Sequence, residues 1–169
     1  MRSFANFAIV FAISAGLTGC GGSVSDKERL ETLVPDAQAT IPVSGQVLVD
    51  GKPIKDLWVK LHLIGETKGT LQPKAQTDAE GNFQITSYVS GDGAPVGDYK
   101  ITLEWLTLKP IANAWVGPNK LAGPCGSAKT TEFSTTVVDE PVVLPTFEVK
   151  AKPNADSLKP SNNGLNKKN

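Results

Sequence analysis

The chain has 169 residues, 17 basic and 17 acidic side chains, 40% hydrophobic and 7% aromatic content, 16 Gly and 12 Pro. That is enough for one domain, or one domain with tails. Balanced charge excludes a nucleic-acid binder acting through a basic field, because such binding needs clustered Lys and Arg to displace counterions. Arg2 and Arg29 are the only arginines, which weakens phosphate recognition further. One histidine, His62, and two cysteines are too few for a closed zinc site. No cofactor, metal or nucleic-acid partner is expected.

Arg2 places a positive charge before residues 4–17, an apolar run broken by Asn6, Ser14 and small residues. A charged start and an apolar stretch of this length read as a secretory signal, too short for a stable membrane span. The run closes on Leu17-Thr18-Gly19-Cys20, which resembles the bacterial lipoprotein signal. The resemblance implies that residues 1–19 are a signal peptide, cut before Cys20, and that the Cys20 sulfur receives diacylglycerol. Two or more acyl chains give lasting attachment, at about 0.8 kcal/mol per buried methylene. The expected address is therefore export, with a lipid anchor in the cell membrane. Cleavage would leave 150 of the 169 residues, and Phe4, Phe7 and Phe11 would depart with the signal.

Residues 20–40 are Gly/Ser-rich, then charged, then punctuated by Pro35. Residues 27–33 suffice for one or two helical turns at most, which are marginal alone. This stretch reads as a flexible tether that lifts the domain off the membrane. Residues 151–169 carry Pro153, Pro160 and many Asn, Ser and Lys, with Leu158 and Leu165 as the large apolar groups. They bury too little surface to offset ordering entropy and read as a disordered tail.

Between these lies a domain over residues 41–150. Val43, Val47 and Val49 share one parity, and Asp50-Gly51-Lys52-Pro53 makes a turn. Leu57, Val59, Leu61 and Leu63 then alternate with Trp58, Lys60 and His62. A weaker strand runs over residues 71–77, followed by the turn Asp78-Ala79-Glu80-Gly81 and a strand at 82–88 with Phe83 and Ile85 inward. Tyr99, Ile101, Leu103 and Trp105 form the clearest alternation, and residues 133–138 and 144–150 supply the last strands. About seven short strands without a convincing helix predict an all-β fold, an antiparallel β-sandwich.

Four segments stand together: Val43-Ser44-Gly45-Gln46-Val47, Asp50-Gly51-Lys52-Pro53-Ile54, Thr77-Asp78-Ala79-Glu80-Gly81-Asn82-Phe83 and Gly97-Asp98-Tyr99-Lys100-Ile101. Together they resemble the carboxypeptidase regulatory-like module, whose fold is transthyretin-like (prealbumin-like). With the cysteine signal and the Gly91-Asp92-Gly93-Ala94-Pro95 loop, the chain is similar to small planctomycete-type lipoproteins. The resemblance covers residues 43–101 and implies an architecture without chemistry. In the motifs, Gly45 avoids a Cβ at a close approach, and Asp78 caps turn amides. After Trp105 the chain departs from the family pattern through a long insertion, residues 106–129, where a binding surface is first to be sought.

The candidate site residues are few. His62 lies opposite Leu61 and Leu63 in parity and faces the outer surface of its sheet. Trp58, on the same face, either packs beneath the 106–129 insertion or offers a ring for stacking on a sugar. Trp115 is either an anchor of that insertion or a ligand contact, whereas Trp105 follows the inward parity of Leu103. Once Cys20 carries lipid, Cys125 is the remaining thiol, either an inert loop cysteine or the partner in an intermolecular disulfide. Asp50, Asp78, Asp92 and Asp98 read as turn caps, because none sits in the alternating pattern of a calcium loop. An internal Lys–Asn amide crosslink lacks its residues, since the first strand has no lysine and 144–150 no asparagine. No nucleophile elbow or phosphate-cradling loop is present.

The expected function is thus a non-enzymatic, membrane-anchored lipoprotein whose β-sandwich serves binding or scaffolding at the cell envelope, facing an envelope protein or polysaccharide. The alternative is a carbohydrate-binding module using Trp58 or Trp115.

Overall fold

The computed structural model describes residues 34, 37–65 and 71–155. The signal segment, Cys20, the helical turns at 27–33 and residues 156–169 lie outside the described residues. Thirteen short strands and one 3-10 turn make the described fold. They are β1 (Thr40–Ile41), β2 (Val43–Val49), β3 (Lys52–Pro53), β4 (Trp58–Leu63), β5 (Lys74–Gln76), β6 (Asn82–Gln84), β7 (Ala94–Pro95) and β8 (Gly97–Glu104). Then come β9 (Thr107–Lys109), β10 (Ala114–Val116), β11 (Ser134–Val137), β12 (Val142–Val143) and β13 (Phe147–Val149). The fold is all-β.

One four-stranded sheet runs in the order β11-β8-β4-β5, antiparallel throughout. The second sheet is built on β2, whose Ser44 sits between Gln84 of β6 and Val143 of β12. Leu48 lies likewise between Pro53 of β3 and Glu148 of β13. Both β12 and β13 run parallel to β2, so this sheet is mixed, where alternation alone predicted antiparallel pairing. Pro145 has no N–H to offer a ladder, and it falls in the gap that splits this last passage into two pieces. Inward side chains of both sheets meet in one core, with Val43, Val47 and Phe147 on one side and Val59, Leu61, Ile101 and Leu103 on the other. Alternation on a pleated strand produces this directly, since successive side chains point to opposite faces.

Gly45 has the role its position suggested. A Cβ there would lie 2.7 Å from Phe83 Cζ and 3.1 Å from Leu144 Cβ. Phe83 in turn stacks on Phe147, with ring centroids 6.4 Å apart.

Three expectations need correction. Residues 106–129 are structured: β9 and β10 form an antiparallel hairpin around a 3-10 turn at Pro110–Ala112, closed by Asn113 at φ 44°. Asn tolerates this left-handed conformation because its short polar side chain bonds locally. Leu121 and Cys125 of the same segment are buried in the core. The Asn119 side chain fixes the segment to β8, accepting from Trp105 N at 3.0 Å and donating to Leu103 O at 2.9 Å. Second, the domain does not stop at residue 150. Ala151 bridges Leu121, the Lys152 amide donates to Lys120 O at 2.8 Å, and Ala155 is buried. Third, Trp105 packs against the core as its parity implies but is only half-buried, with Lys120 Nζ 5.1 Å from its ring centroid.

Candidate functional site

The outer face of the four-stranded sheet gathers most of the candidate side chains. On β4 the residues opposite in parity to Val59 and Leu61 are Trp58, Lys60 and His62, and register with β8 sets them against Glu104, Thr102 and Lys100. Lys60 Nζ donates to Glu104 Oε2 at 2.7 Å, diagonally across the two strands. On the other edge of β4, Trp58 faces Gln76 and Lys60 faces Lys74 of β5. Lys74 Nζ stands 5.7 Å from the Trp58 ring centroid.

His62 is half-buried on this face, and both ring nitrogens have partners. Gln72 Nε2 donates to Nδ1 at 3.0 Å, which leaves the proton on Nε2, 2.9 Å from Thr102 Oγ1. Burial pushes the His62 pKa below its ordinary value, the Lys60 charge pushes it further, and Glu104 opposes. The ring is thus a neutral strut between β8 and the segment before β5. Neither nitrogen is open to take a proton from a substrate.

The hairpin completes the face. Trp115 of β10 meets Trp58 with centroids 6.3 Å apart and planes at 90°, the edge-to-face geometry that the ring quadrupoles favour. Residues 106–129 therefore reach back over the outer sheet surface through Trp115. Both rings remain half-buried, so each has area left for a ligand. The face combines two aromatic rings with the donors and acceptors of Lys60, Glu104, Gln72 and Lys74.

The remaining candidates are placed elsewhere. Cys125 is 4% exposed, and its thiol points at Ala122 O, 3.7 Å away. The sulfur offered by the sequence to an intermolecular disulfide lies inside the protein, where a second chain cannot reach it without local opening. Burial also pushes the thiol pKa up, so the reactive thiolate is scarce. A depression of about 240 Å³ beside it is lined by Pro124, Phe133 and Glu148 among others. A shallower one of about 540 Å³ runs past Trp105, Asp50 and Lys152.

Asp50, Asp78 and Asp92 accept from backbone amides, whereas Asp98 lies on β8 instead of capping a turn and accepts from a cross-strand hydroxyl. Asp78 Oδ1 accepts from Glu80 N at 3.0 Å and Asn82 N at 2.8 Å. The Asp92 carboxylate accepts from the amides of Ser87, Tyr88 and Val89 at 2.7, 3.0 and 3.2 Å. Asp98 Oδ1 accepts from the Thr136 hydroxyl at 2.6 Å, and Asp50 Oδ2 from Ala151 N at 3.3 Å. Among the described residues no three His, Cys, Asp or Glu side chains gather as a metal site would require.

Sequence reasoning put Trp58 and His62 on the outer face and left Trp115 undecided. It set Lys60 on that face as well but missed Glu104, Thr102 and Gln72 as neighbours. Parity with Trp58 was signal enough for Lys60, but the others depend on cross-strand register.

No family model matches the chain, and no curated protein is similar to it. Among solved structures it is similar to a 9R-lipoxygenase from Cyanothece PCC8801, with 19% identity and a TM-score of 0.37. The alignment covers 76% of this chain and 21% of that one. A likeness of this size carries no argument about architecture or activity.

Proposed function

We propose that this chain is a lipid-anchored, non-enzymatic binding or scaffolding module of the bacterial cell envelope, with a transthyretin-like sandwich of the carboxypeptidase regulatory-like class. The observation that carries the reading is Leu17-Thr18-Gly19-Cys20, set behind one positive charge and a short apolar run. An all-β domain with one packed core is a suitable load for such an anchor. Labelled palmitate fed to producing cells should enter the wild-type chain and not Cys20→Ala. Equal labelling of the two, or wild-type protein free in the medium, refutes the anchor.

The half-buried pair Trp58 and Trp115, ringed by Lys60, Glu104 and Gln72, favours a second reading, in which the ligand is a polysaccharide. Glycan binding that disappears on Trp58→Ala and Trp115→Ala, with the unfolding midpoint kept, supports it. An empty array leaves a protein partner or a scaffold.

A further inference from the structure

Four large apolar side chains stand exposed at one end of the domain: Ile64 at 55%, Val96 at 54%, Val138 at 50% and Val143 at 80%. Topology brings them together. Ile64 follows β4, and its amide donates to Asp98 O at 2.8 Å. Val96 immediately precedes β8, and Val138 follows Val137, the register partner of Gly97. Val143 lies on β12, which the Val142 amide ties to Pro42 O at 2.9 Å.

The chain from Cys20 enters the domain at this same end. Thr40 and Ile41 of β1 pair with Pro95 and Ala94, one residue from Val96, and Pro42 holds β12. Fully extended, the stretch from Cys20 to Thr40 spans at most about 70 Å. An acylated Cys20 therefore keeps this end within reach of the bilayer, and a tether of this kind turns a second contact into an intramolecular one at about millimolar effective concentration. Weak apolar contact then suffices.

We infer that this rim of Ile64, Val96, Val138 and Val143 seats in the surface of a neutral-headgroup phospholipid bilayer, so that the domain stands on the membrane end-on. The inference rests on the anchor reading above. Among the described residues, the charges flanking Val96, Val138 and Val143 in sequence are Asp92, Asp98, Asp139 and Glu140 against Lys100, so the contact is apolar and anionic headgroups weaken it. The β9–β10 hairpin, with exposed Leu108 and Ile111, departs from the far end of β8, where its Trp115 packs on Trp58.

The test uses the full acylated protein in phosphatidylcholine vesicles carrying a lipid with a diazirine in its acyl chain. Adducts mapped by mass spectrometry are expected on the four rim residues and not on the hairpin. The double variant Val96→Asp/Val143→Asp should lower rim adducts about tenfold, whereas Ile111→Asp should leave them unchanged. Added phosphatidylglycerol should reduce the yield. Adducts on the hairpin, adducts spread over the surface, or rim crosslinks to a second copy overturn the docking. Palmitate on Cys20 without rim adducts refutes the docking alone, and absence of palmitate refutes the anchor and the docking together.

Discussion

Thr77 ties the entry to β4 through four hydrogen bonds, and its hydroxyl is the piece to remove. It is 2% exposed. Its Oγ1 accepts from Leu57 N at 2.9 Å and donates to Ile54 O at 2.6 Å. Its backbone adds bonds from Asp56 N to Thr77 O at 2.9 Å and from Thr77 N to Leu57 O at 3.0 Å. Together these pin residues 54–57, including Asp56 at φ 63°. Thr77→Val keeps the shape and opens no cavity, but it strands the Leu57 amide and the Ile54 carbonyl. A buried polar group without a partner costs about 1–3 kcal/mol, so the pair costs about 2–6 kcal/mol. With a urea m-value of about 1–3 kcal/mol/M, a mid-range cost of about 4 kcal/mol lowers the midpoint by about 1–4 M. Thr77→Ser keeps both bonds and loses one methyl, at about 1 kcal/mol. Urea unfolding followed by tryptophan fluorescence decides the matter. A Thr77→Val midpoint within about 0.3 M of wild type, or a Thr77→Ser midpoint as low as that of Thr77→Val, refutes the argument.

Three further outcomes are expected. Gly45→Ala drives a methyl into Phe83, whose ring is held by Phe147, and should cost about 1–3 kcal/mol in the same assay; a neutral substitution would show that the ring moves freely. Native Cys125 should react with a thiol reagent far more slowly than the urea-unfolded chain, the rate rising with pH as thiolate forms above its ordinary range; equal rates would place the sulfur at the surface. His62 titrates below its ordinary pKa in the fold, so its contribution is complete above about pH 6.5 and is lost as pH falls through the lower folded value. His62→Gln should therefore lose less stability than wild type between pH 7.5 and about 5, and parallel pH profiles would refute a lowered pKa.

Strand alternation made much of the fold readable in advance. Val43, Val47 and Val49, the odd residues of 57–63, and Tyr99, Ile101 and Leu103 declare an inward face, because a pleated chain with one buried side must alternate. Asp78 and Asp92 likewise declare turns, since a short carboxylate caps amides within a few residues of itself. Those are local facts, and a sequence carries local facts well. Which strands lie side by side is another matter. Lys60 meets Glu104 across 44 positions and Trp58 meets Trp115 across 57, distances in sequence over which no periodicity speaks. The parallel placement of β12 and β13 on β2, the burial of Cys125 and Leu121, and the use of residues 151–155 all follow from what the core needed to cover. Residue type shows that a side chain can be buried; only the packed tertiary structure decides which ones are, and beside which neighbours.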